Sequence, residues 1–415
     1  MSVEVKPGYQ QTEVGVVPDD WKVVAIESIG TVIRGASPRP KGDKRFYGGN
    51  VPRLMVEDVT RDKRWVTPAI DFLTHEGAKR SRPCSRGTLT IVCSGTPAVV
   101  GLPSQLSVDA CIHDGMLALI QLDQDVLPDF LFHQLTSNQG RLQAAATHGG
   151  TFVNLTTTGL KAFKVALPPT KLEQENIDET LSDMDSLIES LEHLLAKKRH
   201  LKQGTMQELL TPKDGWVEKN LGRTATLKAR IGWQGLTTAE YLETGDYYLV
   251  TGTDFKGGYI DWGHCPFVEE SRYKQDKNIQ LRQHDVLVTK DGTIGKVALV
   301  NHLDKPATLN SGVFVIRPLE NAFNPEFFYY LLSSNLFAVF LAQLSAGSTI
   351  NHLYQKDFVA FNYKTPSTIA EQTFIASILS DMDTEITDLE AQLTKTRALK
   401  QGMMQKLLTG EIRLI

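Results

Sequence analysis

The sequence lacks any long hydrophobic run. No stretch of its 415 residues approaches the roughly 18 consecutive apolar residues that a membrane-spanning helix needs. The first fifteen residues, MSVEVKPGYQQTEVG, lack the apolar segment of a signal peptide. Only four cysteines occur, at positions 84, 93, 111 and 265, and none are spaced as CxxC. These absences argue against a membrane protein and a zinc site, and they predict a protein of the reducing cytoplasm.

Catalytic motifs are also missing. Residues 290–296 (KDGTIGK) look like a phosphate-binding loop only superficially, because the spacing differs and Val297 stands where a hydroxyl is needed. No GxGxxG motif opens a helix after a strand. Neither Asn nor Asp precedes Pro168-Pro169, as an amino-methyltransferase motif would require, and the histidines lack HxxxH or HExxH spacing for zinc. We therefore expect no catalytic residues, no metal and no cofactor in this chain.

A basic overall charge is absent as well. The formal net charge of −4 argues mildly against a nucleic-acid-binding protein. The distribution of charge is uneven, however, because residues 34–64 hold nine basic and four acidic residues. Local basic surface decides whether DNA is attracted, so this segment keeps DNA binding open.

The sequence does contain a duplication. Residues 168–211 and 366–409 align without a gap, 198 positions apart, and 25 of the 44 aligned pairs are identical. An internal repeat of this kind defines the organisation of a chain before any other feature is considered. The order is therefore a globular segment, a repeated segment, a second globular segment and the second repeated segment.

Each repeated segment reads as one long amphipathic helix. Apolar residues recur in steps of three and four, which is typical of a narrow coiled-coil seam. The seam residues are Ile177, Leu181, Met184, Ile188, Leu191, Leu195, Ile375, Leu379, Met382, Ile386, Leu389 and Leu393. Gly204 and Gly402 predict a break followed by a short tail helix. About 30 helical residues would span roughly 45 Å.

Two interpretations of these helices remain open. An apolar stripe is ordinarily the face that a helix packs against the core of its own domain. The narrow seams, the length of both helices and their place after a large segment favour two helices that pair antiparallel and act as a spacer. We prefer the second interpretation.

The segments between the helices predict mixed helix and strand. Short β-rich runs end at or near glycine, for example at 89–92 and 286–289, whereas residues 128–145 and 325–344 read as helices. The predicted fold class is therefore α+β, with two globular domains alternating with two long antiparallel helices as a pseudo-twofold repeat. The predicted boundaries are 1–167 and 212–365 for the globular domains, and 168–211 and 366–415 for the helices and tail.

Loops in both globular domains carry residues that bind DNA in other proteins. Arg and Lys contact phosphates and guanine, and Gln reads adenine. The Ser94-Gly95-Thr96 and Asp291-Gly292-Thr293 loops occupy matching places in the repeat, so they are stronger candidates than isolated charged residues, although plain turns explain them about equally well. The candidate DNA-contacting residues are Arg34, Ser37, Arg39, Ser94, Gly95, Thr96, Thr151, Arg230, Trp233, Gln234, Lys290, Asp291, Gly292, Thr293, Lys296 and Thr349.

Taken together, these motifs resemble the specificity subunit of type I restriction-modification systems. The resemblance rests on residues 12–21 (TEVGVVPDDW), Leu-Pro-Pro at 167–169, and on LSDMD and KQGxMQxLLT in each helix. It covers nearly the whole chain. The combination is specific, although each short motif alone would be weak.

The resemblance implies a division of labour between subunits. Each globular domain would be a target recognition domain that reads one half of a split site in double-stranded DNA. The helices would hold the halves apart and bind two modification subunits, which would carry S-adenosylmethionine. Restriction subunits would add ATP- and Mg-dependent translocation and cleavage. Two alternatives stay open at this point: a self-contained methyltransferase or nuclease, and a tandem scaffold that binds proteins only.

Overall fold

A computed structural model describes residues 5–149, 152–232, 235–344 and 352–415. The chain separates into two compact units. The first comprises residues 1–192 and 392–415, and the second comprises residues 193–391. Each unit therefore contains one globular segment, part of the first repeated segment and part of the second.

The first unit is built mainly from short strands. They are β1 (Tyr9–Thr12), β2 (Gly15–Pro18), β3 (Lys22–Ala25), β4 (Thr31–Arg34), β5 (Tyr47–Leu54), β6 (Trp65–Val66), β7 (Asp71–Leu73), β8 (Pro83–Cys84), β9 (Leu89–Val92), β10 (Ser94–Gly95), β11 (Pro103–Leu106), β12 (Ala110–Ile112), β13 (Met116–Ile120), β14 (Thr147–Gly149), β15 (Phe152–Asn154) and β16 (Lys164–Leu167). Its helices are α1 (Ile26–Ile29), α2 (Val56–Asp62), α3 (His75–Lys79), α4 (Pro128–Ser137), α5 (Gln139–Ala144), α6 (Thr157–Ala162) and the start of α7 (Lys171–Leu210).

Two sheets organise the first unit. The larger has the order β4-β13-β9-β11-β6 and the other has the order β7-β5-β12-β8. Strand β9 reads Leu-Thr-Ile-Val and is buried along its whole length, because neighbouring elements cover both of its faces. Phe130 and Leu131 of α4 pack into the same core, together with Trp21. Strand β9 is followed by β10, which belongs to a separate sheet of order β10-β15-β14.

The second unit is also built mainly from short strands, around one larger sheet. Its strands are β17 (Val217–Asn220), β18 (Ala225–Lys228), β19 (Tyr248–Val250), β20 (Phe255–Lys256), β21 (Tyr259–Ile260), β22 (Val286–Thr289), β23 (Val297–Leu299), β24 (Ala307–Leu309), β25 (Val313–Pro318) and β26 (Asn362–Thr365). Its helices are α8 (Leu221–Thr224), α9 (Glu270–Lys274), α10 (Pro325–Ser333), α11 (Asn335–Leu344), α12 (Gln355–Phe358) and the start of α13 (Ile369–Leu407). Its main sheet has the order β18-β25-β22-β23-β21-β20, and β22 is again buried throughout.

The prediction of mixed helix and strand is confirmed, and so is the presence of two long helices. Two details of the prediction are wrong. Residues 128–145 and 325–344 each form two helices instead of one. The long helices also do not break at Gly204 and Gly402, since α7 runs for 40 residues and α13 for 39.

The helices continue through these glycines because residues five or six positions farther along the chain are buried in the cores of the units. A glycine inside a helix costs only about 1 kcal/mol relative to alanine. Leu210 packs into the core of the second unit, and Leu407 and Leu408 pack into the core of the first. A 40-residue helix is about 60 Å long, longer than the sequence-based figure.

Each long helix begins at the same capping residue. The Thr170 hydroxyl accepts a hydrogen bond from the backbone N–H of Glu173 at 3.3 Å, and the Thr368 hydroxyl accepts one from Glu371 at 3.2 Å. A threonine at this position satisfies one of the free N–H groups of the first turn. Across the described ranges, no single helix has the length and apolar character to cross a membrane, and one bent pair, α10 with α11, passes that test on length and composition.

Candidate functional site

The loop after β9 in the first unit is held by two backbone hydrogen bonds. The N–H of Cys93 donates to the carbonyl of Gly115 at 2.8 Å, and the N–H of Leu155 donates to the carbonyl of Cys93 at 2.7 Å. Ser94 then pairs with Asn154 in an antiparallel strand register. The Ser94-Gly95-Thr96 loop is thus anchored at the sheet edge by main-chain contacts that leave its side chains available.

The second unit has the same main-chain frame. The N–H of Lys290 donates to the carbonyl of Gly312 at 2.9 Å, and the N–H of Leu353 donates to the carbonyl of Lys290 at 2.8 Å. Asp291 forms an antiparallel bridge with His352. Gly292 adopts a φ of 68°, which favours glycine and allows the tight turn that follows.

Polar side chains collect beside this frame in the first unit. Arg34, at the end of β4, donates from Nε to the Asp114 carbonyl at 2.9 Å and from a terminal nitrogen to Asn154 Oδ1 at 3.4 Å. Arg39 lies 3.8 Å from the Asp114 carboxylate. Both arginines are exposed, so the predicted residues Arg34, Arg39 and Ser94 come together on one surface.

Ser37 supports this surface from beneath. Its hydroxyl accepts a hydrogen bond from Arg53 at 2.9 Å, and Arg53 is buried in an ion pair with Asp71. A buried arginine with a charged partner holds the 34–39 segment in place. Ser37 is therefore positioned to orient the loop.

Side chains in the second unit meet at the equivalent position. The ring of His352 contacts the Asp291 carboxylate through Nδ1. Lys290 Nζ lies 3.5 Å from Asp291 and 5.8 Å from the centre of the Phe314 ring, and its side chain is only 12% exposed. Lys296 and Thr293 are exposed. Of the two predicted lysines, Lys296 is therefore the better placed for a DNA phosphate.

Arg230 requires a correction. Its side chain is 1% exposed, and its nitrogens donate to the Leu309 and Arg272 carbonyls, to Gln275 and to Thr308. Burial and this full set of partners remove it from the predicted DNA-contacting residues, because the loop pattern around it carried no information about packing. Thr151, Trp233, Gln234 and Thr349 lie outside the described residues.

Burial controls the ionisation of the groups under this surface. It raises the pKa of the Cys93 thiol to about 11, so the thiol stays protonated. It also lowers the pKa of His113, although Asp114, at 2.8 Å, favours the charged form of the ring. Neither group forms part of a nucleophile–base pair. No cluster of three potential metal ligands occurs within the described ranges.

Sequence reasoning missed Asn154 and His352. Their matched place is a weak signal: they lie 198 positions apart, just before Leu155 and Leu353, whose N–H groups bond to Cys93 and Lys290. The residues around them are otherwise unlike, FVNL against INHL. Only the shared hydrogen bonds make the equivalence evident.

The predicted seam residues divide into two groups. Those near the start of each helix belong to the core of their own unit: Ile177 and Leu181 in the first, and Ile375 and Leu379 in the second. Farther along the helices, three are buried and five are partly buried. The buried ones are Leu191, Leu195 and Leu393, and the partly buried ones are Met184, Ile188, Met382, Ile386 and Leu389. The first residues of each seam therefore pack as the domain-core interpretation expects.

Charged residues connect the two long helices inside each unit. In the first unit, Lys400 contacts Asp185, and Arg397 contacts Glu192 at 2.6 Å. In the second unit, the residues 198 positions away make the corresponding contacts. Lys202 contacts Asp383, and Arg199 pairs with Glu390 at 2.5 Å. Within each unit, the residue numbers of the basic residues rise along one helix while those of their acidic partners fall along the other.

Comparison with known proteins identifies the family. The model of the type I restriction modification DNA specificity domain matches residues 18–197 and again 214–396. The chain is 24% identical over 417 residues to the MjaVIII specificity subunit of Methanocaldococcus jannaschii, covering 96% of this chain and 94% of that protein. It is 23% identical to the EcoBI specificity subunit of Escherichia coli, covering 95% and 87%.

Solved structures agree on the fold. The type I restriction-modification S subunit from M. genitalium superposes with a TM-score of 0.62 at 16% identity, covering 98% of both chains. A chain from a structure on complex assembly of the type I R-M system gives 0.55 at 16% identity, covering 95% of this chain and 99% of that one. With two family domains across most of its length, the chain belongs to the type I restriction-modification specificity subunits, and it is a non-catalytic DNA-recognition subunit.

Proposed function

We propose that each unit reads one half of a bipartite site in double-stranded DNA. The observation that carries this proposal is the shared main-chain frame around Cys93 and Lys290, which presents different side chains in the two units. A common scaffold with different polar groups is what two unlike half-sites require, since base edges are distinguished by donor and acceptor patterns. The exposed basic residues beside each frame supply the phosphate contacts that position the protein.

The long helices act as the spacer between the two reading units. We propose that they form an antiparallel coiled coil related by a pseudo-twofold axis, as the duplication predicts. The pairs Asp185–Lys400 and Glu192–Arg397 within the first unit support this arrangement, because their order reverses along the partner helix. The half-sites would be fixed about one turn of DNA apart, roughly 34–36 Å.

The outer face of the first helix binds modification subunits. Leu187, Leu194 and Leu201 are spaced by seven residues and are 44%, 39% and 53% exposed. A row of exposed leucines marks an interaction surface, because contact of apolar side chains with water is unfavourable and a bound partner would remove it. Two modification subunits would bring S-adenosylmethionine, and restriction subunits would bring ATP- and Mg-dependent cleavage, all in the cytoplasm.

Methylation mapping tests this function. The chain is co-expressed with its modification subunit in a host that lacks other adenine methylation, and methylated adenines are mapped over the genome. We expect a site with two specified parts and an unspecified spacer of constant length. A continuous site, or methylation without sequence preference, would contradict the proposal.

A further inference from the structure

Positions 154 and 352 occupy the same place in the two units. Asn154 precedes Leu155, whose N–H bonds to Cys93, and His352 precedes Leu353, whose N–H bonds to Lys290. Each side chain is partly exposed beside the anchored loop. Each also contacts a charged neighbour, which is Arg34 for Asn154 and Asp291 for His352. The surroundings differ in one respect that matters for DNA, the polarity of the hydrogen-bonding groups.

The pair in the first unit presents donors. Arg34 donates to Asn154 Oδ1, which engages one of the two lone pairs of that oxygen, and the Nδ2 hydrogens remain for a ligand. Arginine has only donors, and Nε of Arg34 is fixed by the Asp114 carbonyl. Guanine offers two adjacent acceptors in the major groove, O6 and N7, and is the base that matches a pair of donors.

The pair in the second unit presents an acceptor. A carboxylate can only accept a hydrogen bond, so Nδ1 of His352 carries the proton that faces Asp291. In the Nδ1–H tautomer of the imidazole, Nε2 is the acceptor, since the bond made by one ring nitrogen fixes the role of the other. An acceptor in the major groove matches the amino group of adenine or cytosine.

We propose that Arg34 with Asn154, and Asp291 with His352, are the base-reading pairs of the two half-sites. The first selects guanine and the second selects a base that offers an amino group. This inference rests on the proposed function, because it assumes that each unit reads one half-site. It adds the residues that determine specificity, and it states whether each pair presents hydrogen-bond donors or an acceptor to the base.

The first test converts the donor of Asn154 into an acceptor. Asn154→Asp keeps the shape of the side chain, and Gln124→Glu is its control. Gln124 is an exposed amide four residues beyond the end of β13. Arg34 pairs with the other end of that strand, so the control is remote from the proposed pair. Co-expressed with the modification subunit, N154D should lose preference at one G·C pair of one half-site by about 10-fold or more. The control should keep the wild-type site.

The second test removes the acceptor of His352. His352→Ala should relax one position in the other half-site, and His264→Ala is its control. His264 also pairs with an aspartate, Asp261, at 3.0 Å, but it follows β21 near the far edge of the sheet. The control should leave both half-sites unchanged. If N154D and H352A alter the same half-site, or neither alters one, the pairs do not read bases.

If a variant abolishes methylation, its base preference is measured by DNA binding instead. Purified complexes with the modification subunit are titrated against duplexes that carry each base in turn at every half-site position. Equal affinities of N154D for all four bases, where the wild type prefers G, support the proposal, and an unchanged ranking overturns it. A wild-type complex without a two-part site would instead refute the proposed function itself, so the two failures are distinct.

Discussion

Arg397 pairs with Glu192 at 2.6 Å, joining the two long helices in the first unit. Both residues belong to the repeated segments, and their counterparts, Arg199 and Glu390, make the same pair in the second unit. The duplicated sequence is thus matched by duplicated contacts. This relationship explains why charged positions are kept in both copies at places where the apolar seam alone would not require them.

Exchanging charges across the helices tests that relationship. Asp185→Lys places a second lysine beside Lys400. The two charges repel each other, because Lys400 is only 17% exposed and has little room to move away. We expect a loss of about 1 kcal/mol in the free energy of unfolding. The double variant with Lys400→Asp should recover most of it in chemical denaturation. A double variant as unstable as the single one would mean that the two side chains do not interact.

Two substitutions on α7 separate pairing from docking. Ile188→Asp puts a charge on the partly buried seam and should cost about 2–3 kcal/mol, read by thermal unfolding. Leu194→Asp, at an exposed position, should change stability by less than about 0.5 kcal/mol but weaken co-purification with the modification subunit. Unchanged stability of I188D would argue against the seam, and full co-purification of L194D would argue against the docking face.

Salt dependence distinguishes the two lysines of the second-unit loop. Lys296 is exposed, whereas the Lys290 ammonium is directed to Asp291 and Phe314. In the complex with the modification subunit, Lys296→Ala should reduce the slope of log affinity against log salt by about 0.9, the value of one phosphate contact. Lys290→Ala should leave that slope unchanged. The opposite result would assign the phosphate contact to Lys290.

His133 makes the stability of the first unit depend on pH. Its ring is fully buried and lies 3.1 Å from Asp178 and 3.4 Å from Arg64. Burial lowers its pKa below the ordinary value of about 6.5, and the positive charge of Arg64 adds to this effect. The unfolded chain therefore takes up the proton more readily, so stability falls as pH drops below about 6.5, by at most ~1.4 kcal/mol per pH unit.

Denaturation at pH 7.5 and 5.5 measures this contribution. His133→Gln should lose less stability between these values than the wild type does. His200→Gln, on an exposed part of α7, serves as the control and should behave like the wild type. Equal pH dependence in H133Q and wild type would show that His133 does not titrate in this range.

The repeat made the architecture predictable. Identical residues 198 positions apart predicted two long helices. Short β-rich runs together with helical segments predicted domains of mixed helix and strand. The sequence did not reveal that Gly204 would remain helical, because that depends on Leu210 reaching a core formed by distant residues. The same limit applies to Arg230, whose partners Leu309 and Gln275 are far away in sequence.

The candidate site was predictable only in part. The loops at 94–96 and 291–293 were found because they occupy matching places in the repeat. Asn154 and His352 were not found, since in the sequence they look like ordinary exposed polar positions. Their importance follows from main-chain contacts with Cys93 and Lys290, which a single sequence does not display.

Exchange of one globular domain tests the central claim most directly. Residues 1–165 are replaced by the first domain of a related specificity subunit, and the donor must keep partners for the C-terminal segment, such as Asp20 for Arg413 and Gln134 for the Leu408 carbonyl. Co-expressed with the modification subunit, this hybrid should methylate a site in which one half is new while the other half and the spacer are unchanged. Changes in both halves, or a continuous site without a spacer, would contradict independent reading by the two units.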